Sequence, residues 1–346
     1  MQRPLRILAL PLLATALACD ATARSPVAYG RPTAVIVVAD SALWSAVEDS
    51  VRVALEPLVF TVRDERAYEI TYVKPSDPSW NDFQMWRQVM AIGTPQDPWM
   101  TRILEEADTV PSRLPGMLEV RDVWARGQVI TAVVLPEEEP RAALQTLLPQ
   151  IRARIQQRFR SYVLERMFVS GMNERLRDRL GEEHGFSLIV PDVYQYRALA
   201  EDVHLFRNDF PDVSTLVRSI LVTWRAGAAP EATPEAALAW RDSVVAQHYQ
   251  RPMETPREPL AVSEVDDAPG PAIQVQGIWQ APEGEFPGGG PFITQVIACP
   301  EQGRTYLLDA WLYAPGKDKY EYMLQLEALL GTFRCGSAAG NPERAG

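Results

Sequence analysis

From Pro140 to about Leu180 the chain offers an unbroken helical pattern, and no other feature restricts its fold as much. Leu144, Leu148, Ile151, Ile155, Phe159 and Tyr162 recur at three- to four-residue steps, so one face of this stretch packs inward. A helical stretch of that length divides the chain into two blocks of short strands, which it joins or buttresses. Pro149 removes a backbone donor and crowds the preceding turn, which predicts a kink or the start of a second helix.

The first block opens with Thr33–Ala39, TAVIVVA, a run that reads as a buried strand. Asp40 or Ser41 can cap the next helix, about 41–56, whose Leu43, Trp44, Val47, Val51 and Leu55 share one face. Pro57 stops it. Strands are expected at Tyr68–Val73, at Gln84–Ile92 and twice within Met117–Leu135, with a short helix over Pro98–Ala107. In the second block, Phe186–Val190, Tyr194–Ala200, His204–Phe206 and Leu216–Trp224 read as strands. A helix with Pro234 in its first turn follows over 234–249. Residues 250–271 are rich in Pro and acids, as in a surface crossing. Strands at Ile273–Gln280, Phe292–Cys299 and Thr305–Tyr313 precede a closing helix over 317–333. Runs of strands with a few helices predict an α+β fold of two domains with mainly antiparallel sheets. The expected boundaries are 33–135 and 184–335 for the domains, 136–183 for the helical segment and 336–346 for a disordered tail.

Residues 1–18 have the layout of a secretory signal peptide. Arg3 and Arg6 supply the positive start, Ile7–Leu17 a short apolar run, and small residues the cleavage site. That run is shorter than the roughly 20 residues a membrane span needs. Ala16-Leu17-Ala18-Cys19 is close to a lipobox, where cleavage precedes a Cys whose sulfur carries a diacylglycerol. Ordinary cleavage after Ala18 or Ala23 is the alternative. The favoured expectation is lipidation at Cys19, with residues 19–32 forming a tether and the chain facing the periplasm or exterior of the cell envelope.

Cysteine arithmetic agrees with that expectation. The chain has three Cys, at 19, 299 and 335. If Cys19 is acylated, Cys299 and Cys335 remain as a pair that an oxidising compartment can keep as a disulfide. Two buried free thiols are the other possibility. Neither Cys lies in a CxxC arrangement, so no metal site is expected.

Losing Arg3 and Arg6 with the leader leaves 32 basic residues against 45 acidic ones. Such a balance argues against nucleic acid as a partner. The exception is local, since residues 141–179 hold nine Arg against Glu165, Glu174 and Asp178. Those Arg either meet an anionic surface, such as lipid headgroups near the anchor, or pair with the protein's own surplus acids.

Toward the C-terminus, Gly277-Ile278-Trp279, Gly289-Gly290-Pro291-Phe292, Tyr313-Ala314-Pro315, Lys317 and Leu326-Glu327-Ala328-Leu329-Leu330 resemble the ending of the DUF4837 family. Asp122-Val123-Trp124-Ala125-Arg126-Gly127-Gln128 and the opening VIVVADSALW resemble its earlier segments. The resemblance implies an envelope lipoprotein with no catalytic residues to carry over.

Candidate chemistry is sparse. His184, His204 and His248 lack metal-ligand spacing, and HExxH, GxSxG and SxxK motifs do not occur. No cofactor is expected. Gly288-Gly289-Gly290 lacks the Lys-Ser/Thr and helix of a phosphate loop, so a turn or bulge with positive φ is expected there. Trp279, Gly289, Gly290, Phe292, Trp311 and Tyr313 form the candidate binding surface, either a ligand cleft or the core of a sheet. The expected role is non-enzymatic binding or scaffolding of an unknown envelope protein or ligand. The alternative is an envelope hydrolase whose site matches no motif.

Overall fold

A computed structural model describes residues 26–227, 233–249, 251–266, 268–285 and 287–336 of the chain. Cys19, the leader and nearly all of the expected tail lie outside the described residues. Strand β1 (Ala34–Val38) is buried along its whole length, as its unbroken β-branched run requires of a strand covered on both faces. Helix α1 (Ser41–Leu55) starts at Asp40, whose carboxylate accepts the Ala42 and Leu43 N–H groups. The two-residue strands β2 (Leu58–Val59) and β3 (Glu65–Arg66) pair with each other, and β4 (Glu69–Val73) follows. The block is completed by α2 (Trp80–Phe83), β5 (Gln88–Gly93), α3 (Pro98–Glu105), β6 (Gly116–Arg121) and β7 (Val129–Val134).

These strands form a sheet of order β4-β1-β5-β7-β6. Taken whole, the chain pairs its strands mainly antiparallel, as the α+β reading expects. This first sheet is the exception: β4, β1, β5 and β7 run parallel, and β6 alone is antiparallel. The reason lies in the connections. A helix or long crossing after β1 and after β4 returns the chain to the end where it started, whereas after β5 the return is made by β6 itself, which a turn then joins to β7. Ile36 and Val38 face α3, whereas Val35 and Val37 face α1 and the long helix.

That helix, α4 (Pro140–Met167), passes through Pro149 without ending. The break comes instead at 168–173, before α5 (Glu174–His184), which Asn173 caps and Gly185 ends at φ 74°. Arg158 of α4 reaches back to the sheet. It pairs with Glu119 and donates to Thr131 Oγ1 (2.8 Å) and Gln88 Oε1 (3.1 Å).

The second block contains β8 (Phe186–Ser187), β9 (Gln195–Ala200), β10 (Val203–Asn208), β11 (Val217–Ala226) and α6 (Pro234–His248). It continues with β12 (Ala261–Glu264), β13 (Ala272–Gln280), β14 (Gly289–Cys299), β15 (Arg304–Tyr313), α7 (Tyr320–Leu330) and β16 (Arg334–Cys335). Seven of these strands form an antiparallel sheet of order β12-β13-β14-β15-β11-β10-β9. Residues alternate between its faces. Tyr306, Leu308, Ala310 and Leu312 meet α5 and α7, whereas Leu307 and Trp311 meet α6. Cys299, at the end of β14, is disulfide-bonded to Cys335, with Cα atoms 6.1 Å apart. The bond fixes β16 and the end of α7 to the sheet.

The domains meet where the first caps a helix of the second. Glu65 Oε2 accepts the Lys319 and Tyr320 N–H groups at 2.7 and 3.1 Å, at the start of α7. No side chain of α7's own N-cap residue does this. A carboxylate there satisfies unpaired donors and faces the positive end of the helix dipole. The Tyr320 ring then stacks on Phe159 of α4, with centroids 5.5 Å apart.

Candidate functional site

The structure brings the six residues of the expected binding surface together, on the α6 side of the large sheet. Trp279, Phe292 and Trp311 face one helix because β13, β14 and β15 are neighbours in register, with Phe292 opposite both Gly277 and Trp311. The rings pack edge to face, Trp279 on Trp311 at 5.4 Å. They are a covered layer, with Trp279 6%, Phe292 0% and Trp311 7% exposed. Tyr313 and Gly289 are half-buried at its rim.

The glycines do a different job from the one expected. Positive φ is absent at Gly289 and Gly290, and both begin β14 in place of a turn. Gly290 permits a close approach: a Cβ there would sit 1.8 Å from the Leu312 carbonyl oxygen. The Trp279 indole N–H donates to that same oxygen at 3.1 Å. Any side chain at 290 would force the two strands apart.

Beneath α6 lies a charge network that reading by motif passes over. Arg241 and Asp309 are both fully buried, and Arg241 Nε donates to Asp309 Oδ1 at 2.7 Å. Thr294 Oγ1 donates to the same oxygen at 2.8 Å, and Tyr249 OH donates to Oδ2 at 3.0 Å. Arg241 Nη1 also reaches Thr255 Oγ1, and its guanidinium lies 4.0 Å from the Phe292 ring centroid. Burial, and then the Asp309 charge, hold the Tyr249 phenol well above its ordinary range, so it stays protonated and donates. The signal was present in the sequence. Asp309 interrupts an otherwise apolar strand, TYLLDAWLY, and Arg241 shares a helix face with Leu238 and Val245. An acid and a base that each break an apolar pattern have to find each other once both are buried.

A second cluster surrounds His204 on β10. Its ring is 4.2 Å from that of His184 and stacks on Trp224 at 5.3 Å, and Tyr196 OH shares a hydrogen bond with Nδ1 at 2.9 Å. Burial, reinforced by His184, lowers the His204 pKa to about 4, so the ring is neutral near pH 7. Its neighbours are aromatic rings and a phenol, an arrangement suited to packing and not to activating a hydroxyl nucleophile.

A shallow groove of about 420 Å³ lies between α1 and α4, lined by Ala54, Leu148, Pro149, Arg152, Ala153 and Gln156. None of the expected site residues reaches it. Among the described residues, no three His, Cys, Asp or Glu side chains converge as a metal site would require. No helix among them is long and apolar enough to cross a membrane.

Residues 173–332 match the model of DUF4837, a domain of unknown function. Residues 28–170 match a second domain of unknown function, DUF8532. The two matches divide the chain between α4 and α5. No curated protein sequence matches it. Among solved structures, the Ran-binding protein Mog1p of Saccharomyces cerevisiae is 11% identical, covering 45% of this chain and 92% of that one at a TM-score of 0.30. The cyanobacterial PsbP protein (CyanoP) of Synechocystis sp. PCC 6803 is also 11% identical, covering 44% of this chain and 86% of that one at 0.30. Likeness at that level assigns neither fold nor activity.

Proposed function

We propose, from the match of residues 173–332 to the DUF4837 model, a cell-envelope lipoprotein, held to a membrane by a diacylated Cys19, that binds or scaffolds and does not catalyse. One observation carries the reading. The Cys299–Cys335 disulfide takes up two of the three Cys and leaves Cys19 as the remaining one, at the end of an export-type leader. A structural disulfide is at home in an oxidising compartment, and a lipobox Cys serves to attach a chain to the membrane facing it. The non-enzymatic part rests on the burial of the strongest polar groups. Arg241, Asp309 and His204 are all fully covered by the fold's own side chains, where no substrate reaches them.

The test is to express the full chain in bacteria with labelled fatty acid and compare it with Cys19→Ser. Label incorporation and detergent-phase partitioning should both disappear in the variant; partitioning that persists would remove the anchor from the proposal. Cross-linking in intact cells tests the scaffold half. Recovery of one discrete protein near one-to-one is the expected result, and capture of nothing specific would overturn it.

A further inference from the structure

The described chain starts on one end of the first domain, where the strands enter the sheet. Residues 26–30 run beside the entries to β5 and β7. Arg126 N–H donates to Pro26 O (2.8 Å), Ala28 N–H to Arg126 O (2.9 Å) and Arg87 N–H to Tyr29 O (2.7 Å). Val27 is 61% and Tyr29 43% exposed, and the Tyr29 ring leans on Trp86 with centroids 5.9 Å apart. Helix α4 leaves past the same end. Its Arg158 bonds Gln88, the first residue of β5, and the Arg87 guanidinium lies 5.8 Å from the Tyr162 ring centroid. The final turn of α4 therefore continues beyond the strand entries, and residues 168–172 lead from it into the second domain. Arg121, Arg126, Arg160 and Arg166 are exposed around this end, as are Glu165 and Asp82, whose backbone carbonyl accepts the Tyr29 hydroxyl at 2.8 Å. Asp122 also lies there, with one carboxylate oxygen accepting the Gly127 N–H at 2.6 Å. The exposed acids Glu137, Glu138 and Glu139 lie at the other end, past the exit of β7.

Six residues separate Cys19 from Pro26, a span of roughly 25 Å even when fully extended. An anchored Cys19 therefore holds this end of the domain close to the bilayer. We infer that the face built from Val27 and Tyr29, flanked by Arg121 and Arg126, is a bilayer-contact surface that seats on anionic lipid headgroups. The inference rests on the anchoring at Cys19 proposed above. Tyr and aliphatic side chains are suited to the headgroup boundary, where one end of a ring stays apolar and the other wet. The Arg121 and Arg126 side chains meet lipid phosphates beside them.

The test uses the processed chain, residues 19–346 carrying Cys19→Ser, which retains every described residue but has no lipid. It is sedimented with vesicles of phosphatidylethanolamine and phosphatidylglycerol. The expected result is measurable binding that falls about tenfold in Val27→Asp/Tyr29→Asp, and that weakens as salt rises. Val262→Asp, at an exposed position on β12 of the second domain, is the control and should bind as the parent does. Equal binding by parent and double variant, or no binding by the parent, would overturn the surface. Loss of binding in the control as well would do the same. Retained vesicle binding after removal of phosphatidylglycerol, with no salt dependence, would overturn the headgroup assignment. Failure of the anchor reads out separately, as loss of detergent-phase partitioning by the full chain with Cys19 intact.

Discussion

His204 shows how much one residue can tie folding to pH. Its ring is enclosed by His184, Phe186, Trp224 and Tyr196, and burial holds its pKa near 4. In the unfolded chain the same group titrates near 6.5. The folded state therefore binds fewer protons than the unfolded state between those two values. Stability from this group is complete above pH 6.5 and declines as pH falls toward 4, by about 3 kcal/mol. Denaturant unfolding of the wild type and of His204→Phe at pH 7 and pH 4.5 checks this. The wild type should lose more stability between the two conditions than the variant does. An equal loss in both proteins would mean that other groups account for the acid sensitivity. The sequence displayed His204 in an apolar strand, but the ring opposite it comes from His184, at the end of another element.

At the scale of elements, helix α6 is held to its sheet by a buried ion pair as well as by apolar packing. Arg241 and Asp309 come from α6 and β15, 68 residues apart, and Thr294 joins them from β14. Removing one member leaves the other charged and uncompensated in the core. Asp309→Ala should therefore cost about 3–5 kcal/mol. The double change Arg241→Met/Asp309→Leu removes both charges and should recover most of that loss. Chemical denaturation of the three proteins reads the difference. A single variant as stable as the wild type would show that Arg241 finds water or another acceptor. The strands and helices themselves were mostly legible, since β1, α1, β14 and β15 follow the apolar pattern of their segments. The direction of the strands was not. Alternation marks which face a strand buries and says nothing about whether its neighbour runs with it. The parallel order β4-β1-β5-β7 thus depends on crossings that only the assembled domain shows.

For the molecule as a whole, Glu65 is one of the groups that join the domains, beside the Arg31–Asp318 pair and the packing of Tyr320 and Leu324 on the first core. Its carboxylate, from the β3 hairpin of the first domain, caps α7 of the second, and the adjacent Tyr320 stacks on Phe159. Glu65→Ala should lower the stability of the second domain by about 1 kcal/mol. The same variant should also separate the unfolding of the two domains in calorimetry. Glu65→Gln keeps an acceptor without the charge and should fall between. Coincident transitions at the wild-type temperature in Glu65→Ala would rule out the cap as a coupling.

The sequence by itself determined the α+β class, and the pairing of Cys299 with Cys335 as one of two readings. Both are written in local order, as apolar period and residue count. The tertiary structure decided what those residues face. It turned the aromatic set at Trp279, Phe292 and Trp311 into a covered layer, because α6 closes over the strands that carry it. It also made Gly290 a point of contact between strands, because Leu312 and Trp279 arrive there from elsewhere in the chain. Burial is a relation between distant segments, and a linear pattern marks which residues seek it without showing which neighbour will provide it.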